Sequence, residues 1–155
     1  MQTHALSAAR RPLEDYNPAQ GLALAPANLR ILIVNEDMRC ADSLKRTLQE
    51  LGYSTTFTAY SARRALVAAA DFSPSVALVD LELPDMTGYQ LAHKLRSHLK
   101  RYVRQVPLLA IAERHVIGNL ELMSAAGFIG CLTKPVLPLE LNSVLRRLQR
   151  CTSAS

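Results

Sequence analysis

The sequence has no tryptophan, only 5% aromatic residues, and no apolar stretch near the roughly 18 residues that suggest a membrane span. The lack of such a stretch speaks against an integral membrane protein. Cysteine is also scarce: Cys40, Cys131 and Cys151 form no CxxC pair, which argues against a disulfide framework and against a zinc site. Unpaired thiols are typical of a reducing compartment, so we expect a cytoplasmic protein.

The rest of the composition is that of an ordinary folded protein. Apolar residues make up 49% of the chain and charged residues 20%, and the formal net charge is +5. A length of 155 residues suits one domain with a real core. Residues 1–28 contain three prolines and no sustained periodicity. We therefore expect a flexible N-terminal extension over 1–28, a domain over 29–150 and a short tail over 151–155.

Apolar runs and amphipathic stretches alternate from Leu29 onward. Val76–Asp80 has no polar alternation, as in a strand covered on both faces, whereas Ala41, Leu44 and Leu48 form one apolar stripe on a helix. Five strand–helix pairs in a row predict a doubly wound α/β fold of three layers, with a parallel five-stranded sheet. The predicted strands cover 30–35, 54–59, 76–80, 106–112 and 128–132; the predicted helices cover about 39–51, 61–70, 88–104, a stretch with Val116, Leu120 and Met123 that ends at Gly127, and a last stretch from Pro138.

Three ionisable residues each follow one of the predicted buried strands. Glu36 follows the first strand, Asp80 ends the third, and Lys134 comes almost directly after the fifth. In a doubly wound sheet, polar chemistry gathers beyond the carboxyl ends of the strands, and a switch in strand order brings the ends of strands one and three together. Two carboxylates and an ammonium at this edge predict a site that binds a cation and handles phosphate.

The motifs around these residues resemble those of the receiver domain of bacterial response regulators, the acceptor half of two-component signalling. They are Ile31–Asp37 (ILIVNED), Val79–Gly88 (VDLELPDMTG) and Leu132–Pro135 (LTKP), and the resemblance extends over residues 29–150. It implies a flavodoxin-like sheet of order 2-1-3-4-5. It also implies a phosphoacceptor signalling domain that is not an enzyme.

The resemblance assigns Asp80 as the phosphoryl acceptor and Lys134 as the residue that holds a phosphoryl oxygen. A carboxylate attacks phosphorus only when the incoming charge is neutralised. Mg²⁺ would do this, held by Glu36, by Asp80, by the backbone carbonyl of Glu82 and, weakly or through water, by Asn35. In the family, the bond before the proline that follows the lysine is commonly cis. The alternative is that Asp80 and Lys134 form only a structural ion pair.

Three positions depart from the family pattern. Asn35 replaces an acid and brings no charge, so we expect weaker Mg²⁺ affinity. Ala112 stands where the fourth strand usually ends in Thr or Ser, and Cys131 stands where the fifth strand usually carries Phe or Tyr. In the family, the hydroxyl bonds the phosphoryl group and the aromatic residue turns inward when the hydroxyl moves; we call this pair the relay. Both residues of the relay are missing here, so the usual route from phosphorylation to a change at the surface is in doubt. Cys131 itself is either a redox-sensitive thiol or, as we favour, a small apolar filler.

Two other groups of side chains have a functional and a plain interpretation. Glu82 and Arg114 occupy positions that border the acceptor in the family and influence loss of the phosphoryl group, or they are solvated loop residues. Basic residues on two helices suggest a nucleic-acid surface, but no aromatic interleaving accompanies them, so we favour a solvated face and consider nucleic-acid binding unlikely. These basic residues are Lys94, Arg96, Lys100, Arg101 and Arg104 on the third helix and Arg146, Arg147 and Arg150 on the last.

Two functions are compatible with these residues. The first is a stand-alone receiver that takes a phosphoryl group on Asp80 from a histidine kinase or phosphotransfer protein. It would signal by docking onto an unknown protein through its fourth helix, fifth strand and last helix, the face that the family uses. The second is a degenerate receiver that binds partners without regulated phosphorylation. The sequence leaves open whether two copies form a homodimer.

Overall fold

The computed structural model describes residues 29–118 and 120–154, so the predicted extension over 1–28 lies outside the described residues. Strands and helices alternate along this part of the chain, as the sequence predicts. The strands are β1 (Ile31–Val34), β2 (Thr56–Ala59), β3 (Val76–Asp80), β4 (Leu108–Ala112) and β5 (Phe128–Thr133). The helices are α1 (Met38–Glu50), α2 (Ala62–Phe72), α3 (Gly88–Arg96), the short α4 (Arg101–Arg104), α5 (Leu120–Ala126) and α6 (Pro138–Ala154).

The five strands form one parallel sheet of order β2-β1-β3-β4-β5, which confirms the predicted topology. Alternate residues of each strand face opposite layers. Leu32 and Val34 belong to the apolar core under α2, α3 and α5, whereas Ile31 and Ile33 belong to the second core, which includes residues of α1 and α6. The strands are almost wholly apolar because both faces of the sheet are covered.

The third helix is shorter than the sequence predicts. Regular apolar spacing continues through Leu99 and Tyr102, but α3 ends at Arg96, and Leu99 is 94% exposed. The chain then leaves the helix and resumes in α4, where Val103 is buried. Tertiary packing of Val103 and of Val106 thus overrides the helical periodicity.

Other differences are confined to the ends of elements. The strands β2 and β4 each begin two residues later than predicted, and α5 begins at Leu120, so Val116 precedes that helix. The last helix continues to Ala154, past the predicted domain boundary at residue 150. Differences of this size are expected because helix and strand ends depend on capping and pairing more than on local composition.

Arg96 does not lie on a solvated face, and this part of the basic-surface interpretation is wrong. Its guanidinium donates to the carbonyls of Arg104 and Val106, both at 2.7 Å, and to the carbonyl of Gly127 at 2.8 Å. These carbonyls belong to the segment before β4 and the turn before β5. Burial lowers the pKa of Arg96 from its usual value, and the side chain links α3 to these two segments.

None of the helices within residues 29–118 and 120–154 combines the length and the apolar character needed to cross a membrane.

Candidate functional site

The predicted charge pair forms at the carboxyl edge of the sheet. Asp80 ends β3 and is only 4% exposed. The Nζ of Lys134 lies 2.6 Å from the Oδ2 of Asp80, although the two residues are 54 positions apart. Lys134 is held at this edge because its backbone N–H donates to the carbonyl of Ala112, at 2.9 Å. The following Lys134–Pro135 bond is cis, as the resemblance implies.

The second oxygen of Asp80 is held by its own loop. The backbone N–H of Glu82 donates to the Oδ1 of Asp80, at 2.8 Å. The loop then folds back, since the N–H of Gly88 donates to the carbonyl of Leu81 at 2.9 Å. Both carboxylate oxygens of the buried Asp80 therefore have a hydrogen-bond donor.

Lys134 is charged at neutral pH. Burial lowers its pKa, but the hydrogen bond to Asp80 and the negative charge of that carboxylate raise it by more, so the net shift of the pKa of Lys134 is upward. A group whose pKa is higher in the folded state stabilises the fold below its unfolded pKa. That contribution disappears as the pH rises through the folded pKa.

The pair should therefore give an alkaline signature. We expect the free energy of unfolding of the wild type to fall as the pH rises above 10.5, the usual pKa of lysine, through loss of the Lys134 charge. The Lys134→Gln variant should lack this part of the decrease. Urea titrations of both proteins between neutral pH and pH values above 10.5 measure the difference. Parallel stability curves for the two proteins over that range would contradict the ion pair.

Gly88 permits the tight return of the acceptor loop. A Cβ at this position would lie 2.8 Å from the Cα of Leu81 and 2.9 Å from the carbonyl oxygen of Asp80. Both neighbours are backbone atoms, which cannot rotate away. The close approach thus requires a residue without a Cβ.

Gly88→Ala should therefore destabilise the fold by about 1–3 kcal/mol, because the loop that holds Asp80 must shift. Gly118→Ala is the matched control, since a Cβ at Gly118 would meet nothing within 4 Å. Urea unfolding of the two variants measures the difference. Equal stabilities for Gly88→Ala and Gly118→Ala would show that the backbone approach at Gly88 carries no constraint.

The residues of the first acidic segment, Asn35 to Asp37, differ in how they are placed relative to Asp80. Val34 pairs with Val79, so Asn35 lies one register position beyond the paired residues, as Asp80 does on β3. Asn35 is buried, and its Oδ1 accepts from the N–H of Asp37 at 2.9 Å. Asp37 is directed elsewhere, since its carboxylate caps the N-terminus of α1.

The oxygen donors at this edge suit a hard divalent cation in kind, but they carry little charge. Of the two predicted carboxylate ligands, Asp80 is buried and Glu36 is exposed, and the Asn35 oxygen already accepts a hydrogen bond. Among residues 29–118 and 120–154, no group of three or more His, Cys, Asp or Glu side chains is placed to hold a metal ion. A weakened cation affinity at this edge therefore stays a prediction.

The two positions of the missing relay are buried in the sheet. Ala112 pairs with Thr133, and Cys131 pairs with Ala110, on the neighbouring strands β4 and β5. Ala112 has no hydroxyl group, and Cys131 packs in the core under α2, α3 and α5. The packing of Cys131 favours the filler interpretation over that of an accessible redox thiol.

The two predicted modulating side chains are both exposed. Glu82 lies in the loop directly after Asp80, and Arg114 follows β4. Glu113, which the sequence did not single out, contributes negative charge that helps to raise the pKa of Lys134. A role for Glu82 or Arg114 in the lifetime of a phosphoryl group remains a prediction.

The structure adds one residue that the sequence did not reveal. The carboxylate of Asp85, in the loop after Asp80, accepts from the N–H groups of Ala62 and Arg63 at 3.0 and 2.9 Å. It thus caps α2 from outside the helix, and these two backbone hydrogen bonds lower the pKa of Asp85. The only local signal is the Ser61 N-cap, which gives no hint of a second cap 23 positions beyond the start of the helix.

Comparison with known proteins agrees with the fold. A family model of the response regulator receiver domain matches residues 31–146. The chain belongs to this family, whose members are signalling domains of two-component systems and interact with histidine kinases or phosphotransfer proteins.

The curated relatives are response regulators. Response regulator MprA of Mycolicibacterium vanbaalenii is 30% identical over 125 residues, which span 81% of this chain and 52% of MprA. Response regulator MprA of Mycobacterium avium is 30% identical over 124 residues, 80% of this chain and 52% of that protein. The chain thus spans about half the length of the curated relatives that it matches.

Solved structures share the fold. Chemotaxis protein CheY4 of Vibrio cholerae superposes with a TM-score of 0.71 at 27% identity, over 79% of this chain and 99% of CheY4. The receiver domain of the sensor histidine kinase PA1611 of Pseudomonas aeruginosa, solved with a magnesium ion in its active site cleft, superposes with a TM-score of 0.69 at 26% identity. That match covers 79% of this chain and 98% of the PA1611 domain.

Proposed function

We propose that Asp80 accepts a phosphoryl group from a histidine kinase or a histidine phosphotransfer protein, and that the modified domain signals by docking onto another protein. The observation that supports this most strongly is the pairing of the buried Asp80 carboxylate with Lys134, at 2.6 Å, on the carboxyl edge of the sheet. Lys134, which follows β5, thus contacts the proposed nucleophile Asp80 at the end of β3. The chain belongs to a family of receiver domains that take phosphoryl groups from phosphohistidine donors.

The chemistry is a phosphoryl transfer between two side chains. A carboxylate oxygen of Asp80 forms the new O–P bond while the N–P bond of the donor phosphohistidine breaks, and the donor imidazole keeps the electron pair. The Lys134 ammonium then binds an oxygen of the transferred group as a point charge. The Glu82 N–H, which donates to one oxygen of Asp80, orients the carboxylate for attack.

Mg²⁺ is the cation proposed for this site, where it would neutralise charge on the transferred phosphoryl group. Glu36, Asp80 and the backbone carbonyl of Glu82 would hold it, and Asn35 would contribute weakly or through water. The Asn35 amide is uncharged, and its oxygen already accepts a hydrogen bond. We therefore expect this site to bind Mg²⁺ more weakly than a site with one more carboxylate. The metal-bound domain from Pseudomonas aeruginosa supports the choice of metal.

Intact mass spectrometry tests the proposal directly. The protein is incubated with phosphoramidate and excess Mg²⁺, beside an ordinary receiver domain under the same conditions. We expect a gain of one phosphoryl group, which depends on Mg²⁺ and requires more Mg²⁺ than the ordinary receiver does. If the ordinary receiver is labelled and this protein is not, even at high Mg²⁺, the proposed acceptor function is wrong.

A second function has its own supporting observation. Ala112 and Cys131 are both buried in the sheet, and neither offers the hydroxyl or the aromatic ring of the usual relay. A phosphoryl group shifts a conformational equilibrium only through contacts that differ between the two states. The alternative proposal is therefore a degenerate receiver whose partner binding does not respond to phosphorylation.

Restoring the relay separates the two functions. In the Ala112→Thr/Cys131→Tyr variant, phosphorylation should shift the amide resonances of α5, β5 and α6, whereas in the wild type these shifts should stay small if the route is broken. The Cys131→Tyr single variant controls for the strain of a larger side chain in the core. Shifts of equal size in the wild type would show that the chain uses another route and would argue against the degenerate function.

A further inference from the structure

A groove lined by apolar and basic side chains lies beside α2, at the β2 edge of the sheet. It has a volume of about 580 Å³, and its lining residues do not include Asp80 or Lys134. Two apolar side chains in it are unusually open for their size, since Phe57 is 46% exposed and Val67 is 61% exposed. Phe57 also contacts Phe72, with ring centroids 5.7 Å apart, so that the apolar floor is continuous. An open apolar floor of this kind is typical of a contact surface.

Charge is distributed unevenly along the groove. Arg63 and Arg64 lie in the first turn of α2, and Asp71 lies near its end. Arg64, Val67, Ala68 and Asp71 have the spacing of one helix face, so the basic end, the apolar middle and the acidic end form a single stripe. At 1.5 Å per residue, the basic and acidic ends are about 11 Å apart.

Arg30, the remaining cation of the groove, is already engaged. Its guanidinium donates to the carbonyl of Phe72 at 2.9 and 2.7 Å and lies 4.3 Å from the centroid of the Phe72 ring. Arg63 and Arg64 are exposed. The groove therefore offers two arginine side chains to an acidic ligand at one end and one carboxylate to a basic ligand at the other.

The chain contains a segment with the complementary pattern. Arg10–Tyr16 reads Arg-Arg-Pro-Leu-Glu-Asp-Tyr, with two bases, then Leu13, then two acids and an aromatic residue. In extended form, the four residues from the bases to the acids span about 13 Å, close to the separation of opposite charges in the groove. In the sequence Leu13 stands between the bases and the acids, just as the apolar floor stands between the charged ends of the groove.

The connection between segment and groove has a suitable length. Thirteen residues separate Tyr16 from Arg30, which itself lines the groove. A random-coil chain of thirteen residues has a root-mean-square span of about 20 Å. The helix α2 is about 16 Å long at 1.5 Å per residue. The segment can therefore reach either end of the groove, and its tethering gives a high effective concentration.

We propose that the segment Arg10–Tyr16 docks in the α2 groove of its own chain, with Glu14 and Asp15 against Arg63 and Arg64, and thereby covers Phe57 and Val67. This inference is independent of phosphoryl transfer.

The absence of tryptophan allows a clean measurement in the full chain. Phe57→Trp introduces a single indole at a half-exposed position of the groove, where acrylamide quenching reports its accessibility. Adding Glu14→Lys and Asp15→Lys removes two exposed ion pairs, so the docking equilibrium should shift about tenfold and quenching should increase. The further changes Arg63→Glu and Arg64→Glu should restore protection, because the charges are then exchanged.

A control variant separates docking from net charge. Asp42→Lys/Glu50→Lys makes the same change of charge on exposed positions of α1 and should leave the quenching of the introduced indole unchanged. To exclude an effect of the reporter, amide shifts of Val67 and Phe72 are compared in proteins that retain Phe57, with and without the Glu14 and Asp15 changes. Unchanged quenching together with unchanged shifts would overturn the proposal. Protection that falls on dilution would also overturn it, because the occupant would then be a second copy of the chain.

Discussion

Replacing Asp80 by Asn should abolish the gain of phosphoryl mass from phosphoramidate. An amide has nearly the same shape as a carboxylate and can keep the hydrogen bond from the Glu82 N–H. It lacks the negative oxygen that attacks phosphorus, and it gives Lys134 no charge to pair with. The readout is the intact mass of the wild type and of the variant under identical conditions, with circular dichroism to confirm that both are folded.

The neighbouring carboxylate supplies the control for this experiment. Glu82→Gln removes one negative charge from the same loop but leaves the backbone N–H that holds Asp80. This variant should still gain the phosphoryl group. An adduct of undiminished size on Asp80→Asn would place the acceptor elsewhere, and peptide mapping would then locate it.

Replacing Arg96 by Ala should cause the largest loss of stability among these variants. Three backbone carbonyls would lose a charged donor at once, those of Arg104, Val106 and Gly127. Hydrogen bonds to charged groups contribute about 1.5–3 kcal/mol each, and the effects of one shared side chain are not additive, so we expect a net loss of about 3–5 kcal/mol. Urea unfolding followed by circular dichroism measures this as a lower midpoint.

Two further variants test whether the loss of stability is specific to the guanidinium of Arg96. Arg101→Ala removes an exposed arginine from α4 and should change the free energy of unfolding by less than about 0.5 kcal/mol. Arg96→Lys should fall between the wild type and Arg96→Ala, because a single ammonium cannot donate to all three carbonyls in the geometry of the guanidinium fork. If Arg96→Ala and Arg101→Ala were equally stable, the hydrogen bonds from Arg96 to the three carbonyls would contribute nothing measurable to the free energy of unfolding.

The sequence predicted the sheet and the charge pair because both follow from short-range patterns combined with a simple topology. Uninterrupted apolar runs such as Val76–Val79 indicate strands covered on both faces, and parallel strands deliver the residues that follow them to one edge. Asp80 and Lys134 are therefore brought together by strand order alone, without any signal that links the two residues directly.

The features that the sequence missed depend on contacts between distant segments. The apolar spacing of Leu91, Leu95 and Leu99 indicates one long helix, and nothing local marks the end at Arg96. Asp85 looks like any acidic loop residue, although it caps a helix that begins 23 positions earlier. In each case a tertiary partner decides the outcome, and residue spacing does not reveal that partner.

The strand order also has a consequence for how the chain reaches its native state. Ile31 pairs with Thr56, 25 positions away, on one side and with Val76 on the other. Even the nearest strand partners, Leu108 and Phe128, are 20 positions apart, and no hairpin closes any of the four parallel ladders. Loop-closure entropy must be paid before the first ladder forms. Folding should accordingly be slower than that of a helical bundle of similar size, and its transition state should contain long-range contacts of β1.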